Sequence, residues 1–139
     1  ERYNAIVECS VPVIGAVNGH ALGAGMALAA SCDFLIAAEN ATFGLPEINA
    51  GLLGGASHMR RVFPHGWTRW ANLTGQRISA EQALHAGAVV RVVPPEELME
   101  AAITEARVIA SKAPPNTRVK PFADLAEGAE FLAWKRSRK

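Results

Sequence analysis

Pro12-Val13-Ile14-Gly15-Ala16-Val17-Asn18-Gly19-His20-Ala21-Leu22-Gly23-Ala24-Gly25-Met26-Ala27-Leu28-Ala29-Ala30 is the stretch on which the fold turns. Val11 to Val17 is an apolar, β-branched run broken only by Pro12 and Gly15, which suits a buried strand with proline at its start. Gly19, Gly23 and Gly25 then fall within seven residues. Met26 to Ala30 are helix formers with no polar face, so they predict an interior helix. Asp33 to Ala38 reads as the next buried strand. Strand, glycine turn, buried helix and strand form a β-α-β unit, which favours an α/β architecture.

Working outward, Asn40 to Gly44 reads as a turn with a short strand. Leu45 to Gly51 reads as an extended loop, because Pro46 biases Leu45 away from helix. Gly54-Gly55 opens a helix from Ala56 to about Phe63, stopped by Pro64. Trp67 to Leu73 is predicted helical, with Gly75 as its cap. Ser79-Ala80-Glu81-Gln82 has the form of a capping box and starts a short helix ending at Gly87. Ala88 to Val93 is a strand candidate. Pro95 to Ala113 is the longest helix, with Leu98, Ala102, Ala106 and Ile109 near one face, and Pro114-Pro115 ends it. Asp124 to Arg138 reads as a helix whose basic end (Lys135, Arg136, Arg138, Lys139) is either a solvated helix terminus or a phosphate contact.

Composition bounds the function. The 139 residues are 50% apolar and 19% charged, with 12 glycines and 8 prolines. This is the profile of one modest globular domain, not of a disordered or collagen-like chain. A net charge of +1 gives no reason to expect a nucleic-acid partner. No apolar run reaches the roughly 18 residues of a membrane span, so no membrane partner is expected either. Cys9 and Cys32 belong to no paired-cysteine motif, and His20, His58, His65 and His85 lack ligand spacing, so no metal site is expected. The cysteine usage fits a reducing, cytoplasmic setting. Glu1-Arg2-Tyr3-Asn4 reads like the middle of a helix, as in a segment of something longer.

A glycine turn between a buried strand and a helix exposes backbone N–H groups at the positive end of the helix dipole, where they can hold an anion or a developing oxyanion. Three readings are open. The glycines could serve only tight strand–helix packing. They could form a dinucleotide turn, although Leu28 stands where a third glycine or alanine belongs. Or they could form half of an oxyanion hole.

More of the chain decides between them. Pro12 to Gly25, Ser31-Cys32-Asp33, Ala41-Thr42-Phe43-Gly44-Leu45-Pro46-Glu47 and Gly51-Leu52-Leu53-Gly54-Gly55 follow one another in an order and spacing that resemble the crotonase superfamily, the enoyl-CoA hydratase/isomerase family. Thr74 to Ala80 and Ala86 to Val89 resemble the family's next segment. The resemblance runs from about Cys9 to Ala113 and covers the C-terminal half of a family member, with an internal gap near Val119-Lys120. It implies a partial crotonase-like ββα spiral over residues 1–93 and a C-terminal helical region over 94–139. It also implies a homo-oligomer, trimer or hexamer, acting on an acyl-CoA thioester, with coenzyme A part of the substrate and no separate cofactor.

By the same resemblance the Ala24 N–H is one oxyanion-hole donor, the second coming from a loop upstream of this chain. Glu47 matches the carboxylate that moves a proton at the substrate α-carbon. Gly23 and Gly25 would border the substrate, and Gly55 matches a glycine that helps to hold the reacting water in family hydratases, or simply begins a helix. Hydratases of the family place a second Glu where this chain has Ala27. One carboxylate suits double-bond isomerisation better than hydration, so isomerisation is the favoured expectation. Hydration and a non-catalytic oligomerisation or CoA-binding role are the alternatives. His58 stands at a glycine-like position of the family loop; it either assists proton transfer or is a helix-surface residue.

Overall fold

The computed structural model describes residues 2–51 and 54–112. Along the chain come α1 (Arg2–Val7), β1 (Ile14–Val17), β2 (His20–Leu22), α2 (Ala24–Ser31), β3 (Phe34–Ala38), β4 (Thr42–Gly44) and a 3₁₀ helix (Pro46–Ala50). Then follow α3 (Ala56–Met59), α4 (His65–Thr74), β5 (Ile78–Ser79), α5 (Ala80–His85), β6 (Arg91–Val93), a 3₁₀ turn (Pro95–Glu97) and α6 (Leu98–Lys112).

The strands form two sheets. In the first, β3 lies between β1 and β6, all parallel, with Ile14 opposite Phe34 and Ile36 opposite Arg91. In the second, β4 lies between β2, which it parallels, and β5, which runs antiparallel to it. The chain visits the first sheet, then the second, then a helix: β1-β2-α2, followed by β3-β4 and the helices after them. That is a ββα spiral, as the sequence resemblance implies.

Position in the sheet explains burial. Leu35, Ile36, Ala37 and Ala38 of the central strand β3 are fully buried, as expected of a parallel strand covered on both faces. β1, at the side of the sheet, is only half-buried along its length. Asp33 anchors its approach, its carboxylate accepting the Val13 N–H at 2.8 Å. Leu98 and Ala102 of α6 pack on Ile36 and Ala38. On the other side, Met26, Phe43, Leu45, Met59 and Phe63 form the main core, where the Phe43 and Phe63 rings meet edge to face at 5.7 Å.

Several boundaries differ from the sequence expectation. The strand expected over Val11–Val17 begins only at Ile14, the one expected over Ala88–Val93 only at Arg91, and the helix expected to reach Phe63 ends at Met59. The glycine turn is interrupted by β2, too short to show a period of two. α2 buries Met26, Ala27, Ala30 and Ser31, but Leu28 is 42% exposed, so the helix is interior on one side only. Residues 45–51 are not an extended loop. Pro46 restricts Leu45, which is extended at φ −128° and ψ 77°, yet proline's own fixed φ suits the first position of the 3₁₀ helix it begins. The expected basic C-terminal helix and the internal gap lie outside the described residues.

The capping box is present as read. Ser79 Oγ accepts the Gln82 N–H at 3.1 Å, and Gln82 Oε1 accepts the Ser79 N–H at 2.9 Å. Ser79→Ala removes one of these acceptors, and the expected result is a loss of about 1 kcal/mol, read as a lower denaturant midpoint with an unchanged slope.

Candidate active site

The site is built where two neighbouring parallel strands end. Leu22, the last residue of β2, is in register with Gly44, the last residue of β4, and the Gly23 N–H extends the ladder by donating to the Gly44 carbonyl at 3.1 Å. The two chains then leave the sheet side by side, one into α2 and the other through Leu45 and Pro46 to Glu47. This register is why residues 23 and 47, remote in sequence, meet. Clefts beyond the carboxyl ends of parallel strands are the usual ligand sites of α/β folds.

Gly23 caps α2 at φ 55° and ψ −116°, a conformation that side chains rarely adopt. Its missing side chain leaves room for the carboxylate: a Cβ there would sit 2.8 Å from Glu47 Oε1 and 3.5 Å from Cδ. Glu47 therefore turns inward onto the residue that precedes Ala24. Ala24, Gly25 and Met26 form the first turn of α2, whose N–H groups have no carbonyl four residues back to bond. The Ala24 amide thus stands at the positive end of the α2 dipole, beside a carboxylate.

Glu47 is half-buried, and its Oε2 is shielded from solvent without a hydrogen-bond partner. Burying such a group unpaired costs about 1–3 kcal/mol, an arrangement found where a ligand completes the partnership. Gly25 is helical and uncrowded, with the His20 carbonyl 4.0 Å from where its Cβ would sit. Gly55 begins α3 at φ 73°, and a Cβ there would meet Leu45 Cδ2 at 2.8 Å, which fixes α3 against the strand-to-Glu47 connection. Ala27 is 4% exposed, so the position at which family hydratases carry a second Glu lies within the protein and holds only a methyl group.

His58 departs from a helix-surface reading. It is half-buried, its Nδ1 is enclosed without a partner, and its ring lies 4.9 Å from that of Tyr3. No local sequence signal marks this, because the covering ring comes from α1. Among the described residues no group of three or more His, Cys, Asp or Glu side chains could hold a metal, and no helix is long and apolar enough to cross a membrane.

Comparisons with known proteins agree with the architecture. Residues 1–122 match the family model described as enoyl-CoA hydratase/isomerase. The chain is 44% identical over 117 residues to a (7aS)-7a-methyl-1,5-dioxo-2,3,5,6,7,7a-hexahydro-1H-indene-carboxyl-CoA hydrolase of Mycobacterium tuberculosis, an alignment covering 84% of this chain and 46% of the relative. It is 43% identical over 112 residues to a carnitinyl-CoA dehydratase of Salmonella typhimurium, covering 78% of this chain and 43% of that one. An enoyl-CoA hydratase from Mycobacterium avium superimposes with a TM-score of 0.73 at 36% identity, covering 93% of this chain and 55% of the other. The chain thus spans less than half the length of the curated relatives it matches. With the family model matched over most of the chain and the ββα spiral in place, this chain belongs to the enoyl-CoA hydratase/isomerase family of the crotonase superfamily.

Proposed function

We propose that this chain forms the acid/base side of an acyl-CoA site, in which Glu47 moves a proton at the carbon next to the thioester and the Ala24 N–H holds the thioester oxygen. The observation that carries this reading is the Glu47 carboxylate seated against Gly23, one residue from that amide. Glu47 takes the proton from C2; the C–H electron pair moves into the C1–C2 bond and the negative charge settles on the thioester oxygen. There a backbone donor is worth roughly 2.7–4 kcal/mol to the transition state. Returning the proton to C4 while the double bond moves from C3–C4 to C2–C3 converts a 3-enoyl-CoA into a 2-enoyl-CoA. One carboxylate suffices for this sequence, and position 27 supplies no second one. Coenzyme A is part of the substrate, and the oligomeric reading stays with the family.

The test is optical. With a 3-enoyl-CoA substrate, absorbance of the conjugated thioester is expected to rise as the double bond migrates; a flat trace at high protein concentration would remove isomerisation. A second reading, hydration, is favoured by the dehydratase and hydrolase named among the relatives, because water is a reactant or product in both. It requires a second proton-transfer group.

A further inference from the structure

We propose that His58 is that second group: it holds and deprotonates the water that adds to C3 of a 2-enoyl-CoA, the role for which Ala27 offers no carboxylate. This rests on the reading of Glu47 as the proton carrier at C2.

Among the described residues, the buried side-chain polar atoms without a hydrogen-bond partner are Glu47 Oε2 and His58 Nδ1. Each costs stability unless a ligand or water completes it. Their elements are joined by packing. α3 and α2 lie against each other, and α2 begins at the Gly23 corner on which the Glu47 carboxylate rests. Gly55, the cap of α3, lies against Leu45, two residues before Glu47. The His58 N–H donates to the Gly55 carbonyl at 3.1 Å, a bond to the residue three back that places His58 one tight turn along the chain from this cap. His58 therefore stands one turn above the point where α3 meets the Glu47 segment. Tyr3, its ring tilted by 49° against the imidazole, restricts the ring's rotation.

The chemistry balances. In the Nε2–H tautomer, Nδ1 accepts a proton from water as the water oxygen bonds to C3. The C2–C3 π pair passes through the enolate, whose charge faces the Ala24 N–H, and C2 takes its proton from the protonated Glu47. Net, one water adds across the double bond. Solvent exchange then returns His58 and Glu47 to their starting protonation states.

Two readouts separate this role from a structural one. The first is incorporation of labelled oxygen from water into the 3-hydroxyacyl-CoA formed from crotonyl-CoA; the second is deuterium wash-in at C2 of butyryl-CoA, which needs Glu47 alone. The wild-type protein is expected to show both. His58→Gln and His58→Leu are expected to lower oxygen incorporation by about 10²-fold or more and to leave wash-in within about twofold. Wild-type wash-in without oxygen incorporation would overturn the role of His58 and leave that of Glu47 standing, whatever the variants do. So would wild-type oxygen incorporation in a folded His58→Gln protein. Absence of wash-in from the wild type would remove both.

Discussion

Glu47→Gln is expected to abolish proton exchange at C2 of a bound acyl-CoA, by about 10²- to 10⁴-fold, without weakening the fold. The amide keeps the shape and hydrogen-bonding reach of the carboxylate but cannot accept the α-proton. Ordinarily a half-buried carboxylate carries stabilising bonds that its amide loses. Here Oε2 has no partner and Oε1 rests against a glycine, so the substitution breaks no contact described for this side chain. Gln leaves a polar atom as unpaired at the Oε2 position as Glu does, so the melting temperature of the variant is expected to stay within a few degrees of that of the wild type. Deuterium wash-in on butyryl-CoA and calorimetry on the same preparation check both halves. Unchanged wash-in would take Glu47 out of the mechanism. A marked drop in melting temperature would mean that Glu47 is held by bonds the structure does not contain.

Much of the fold around the candidate site is legible in the sequence, but unevenly. β3 announced itself as a continuous apolar run, and the Ser79-to-Gln82 box named its own hydrogen bonds. Both are local features, in which the residues that interact lie next to one another. Motif order singles out Glu47, Gly23 and Ala24; that Glu47 meets Gly23 depends on the Leu22–Gly44 register, which no local pattern encodes. The second sheet was mostly invisible, since β2, β4 and β5 are two or three residues long and a period of two cannot show over so short a run. Pro46 restricts Leu45 alone, so it gives no reason for the residues after it to be extended, and they form a 3₁₀ helix. The enclosure of His58 was beyond reach for a different reason: the ring that covers it is Tyr3, at the far end of the described chain.

Gly23→Ala should separate stability from catalysis at one position. The backbone there, φ 55° with ψ −116°, costs a non-glycine residue about 1–3 kcal/mol, so the melting temperature is expected to fall by several degrees. That loss is tolerable for a folded protein assayed well below its midpoint. The new methyl also arrives 2.8 Å from Glu47 Oε1, closer than a carbon and an oxygen can sit. The carboxylate is the free end of a flexible side chain, so it yields at little further cost in stability and swings off Gly23. That movement is what catalysis cannot absorb: a displacement of about 1 Å at a reacting group costs on the order of 10²-fold in rate, while substrate held by backbone amides and the coenzyme A moiety binds much as before. The expected pattern is a folded variant with kcat down by about 10²-fold and KM little changed. If kcat follows only the fraction of protein folded at the assay temperature, the glycine serves the turn alone and the Glu47 carboxylate need not lie against it during turnover.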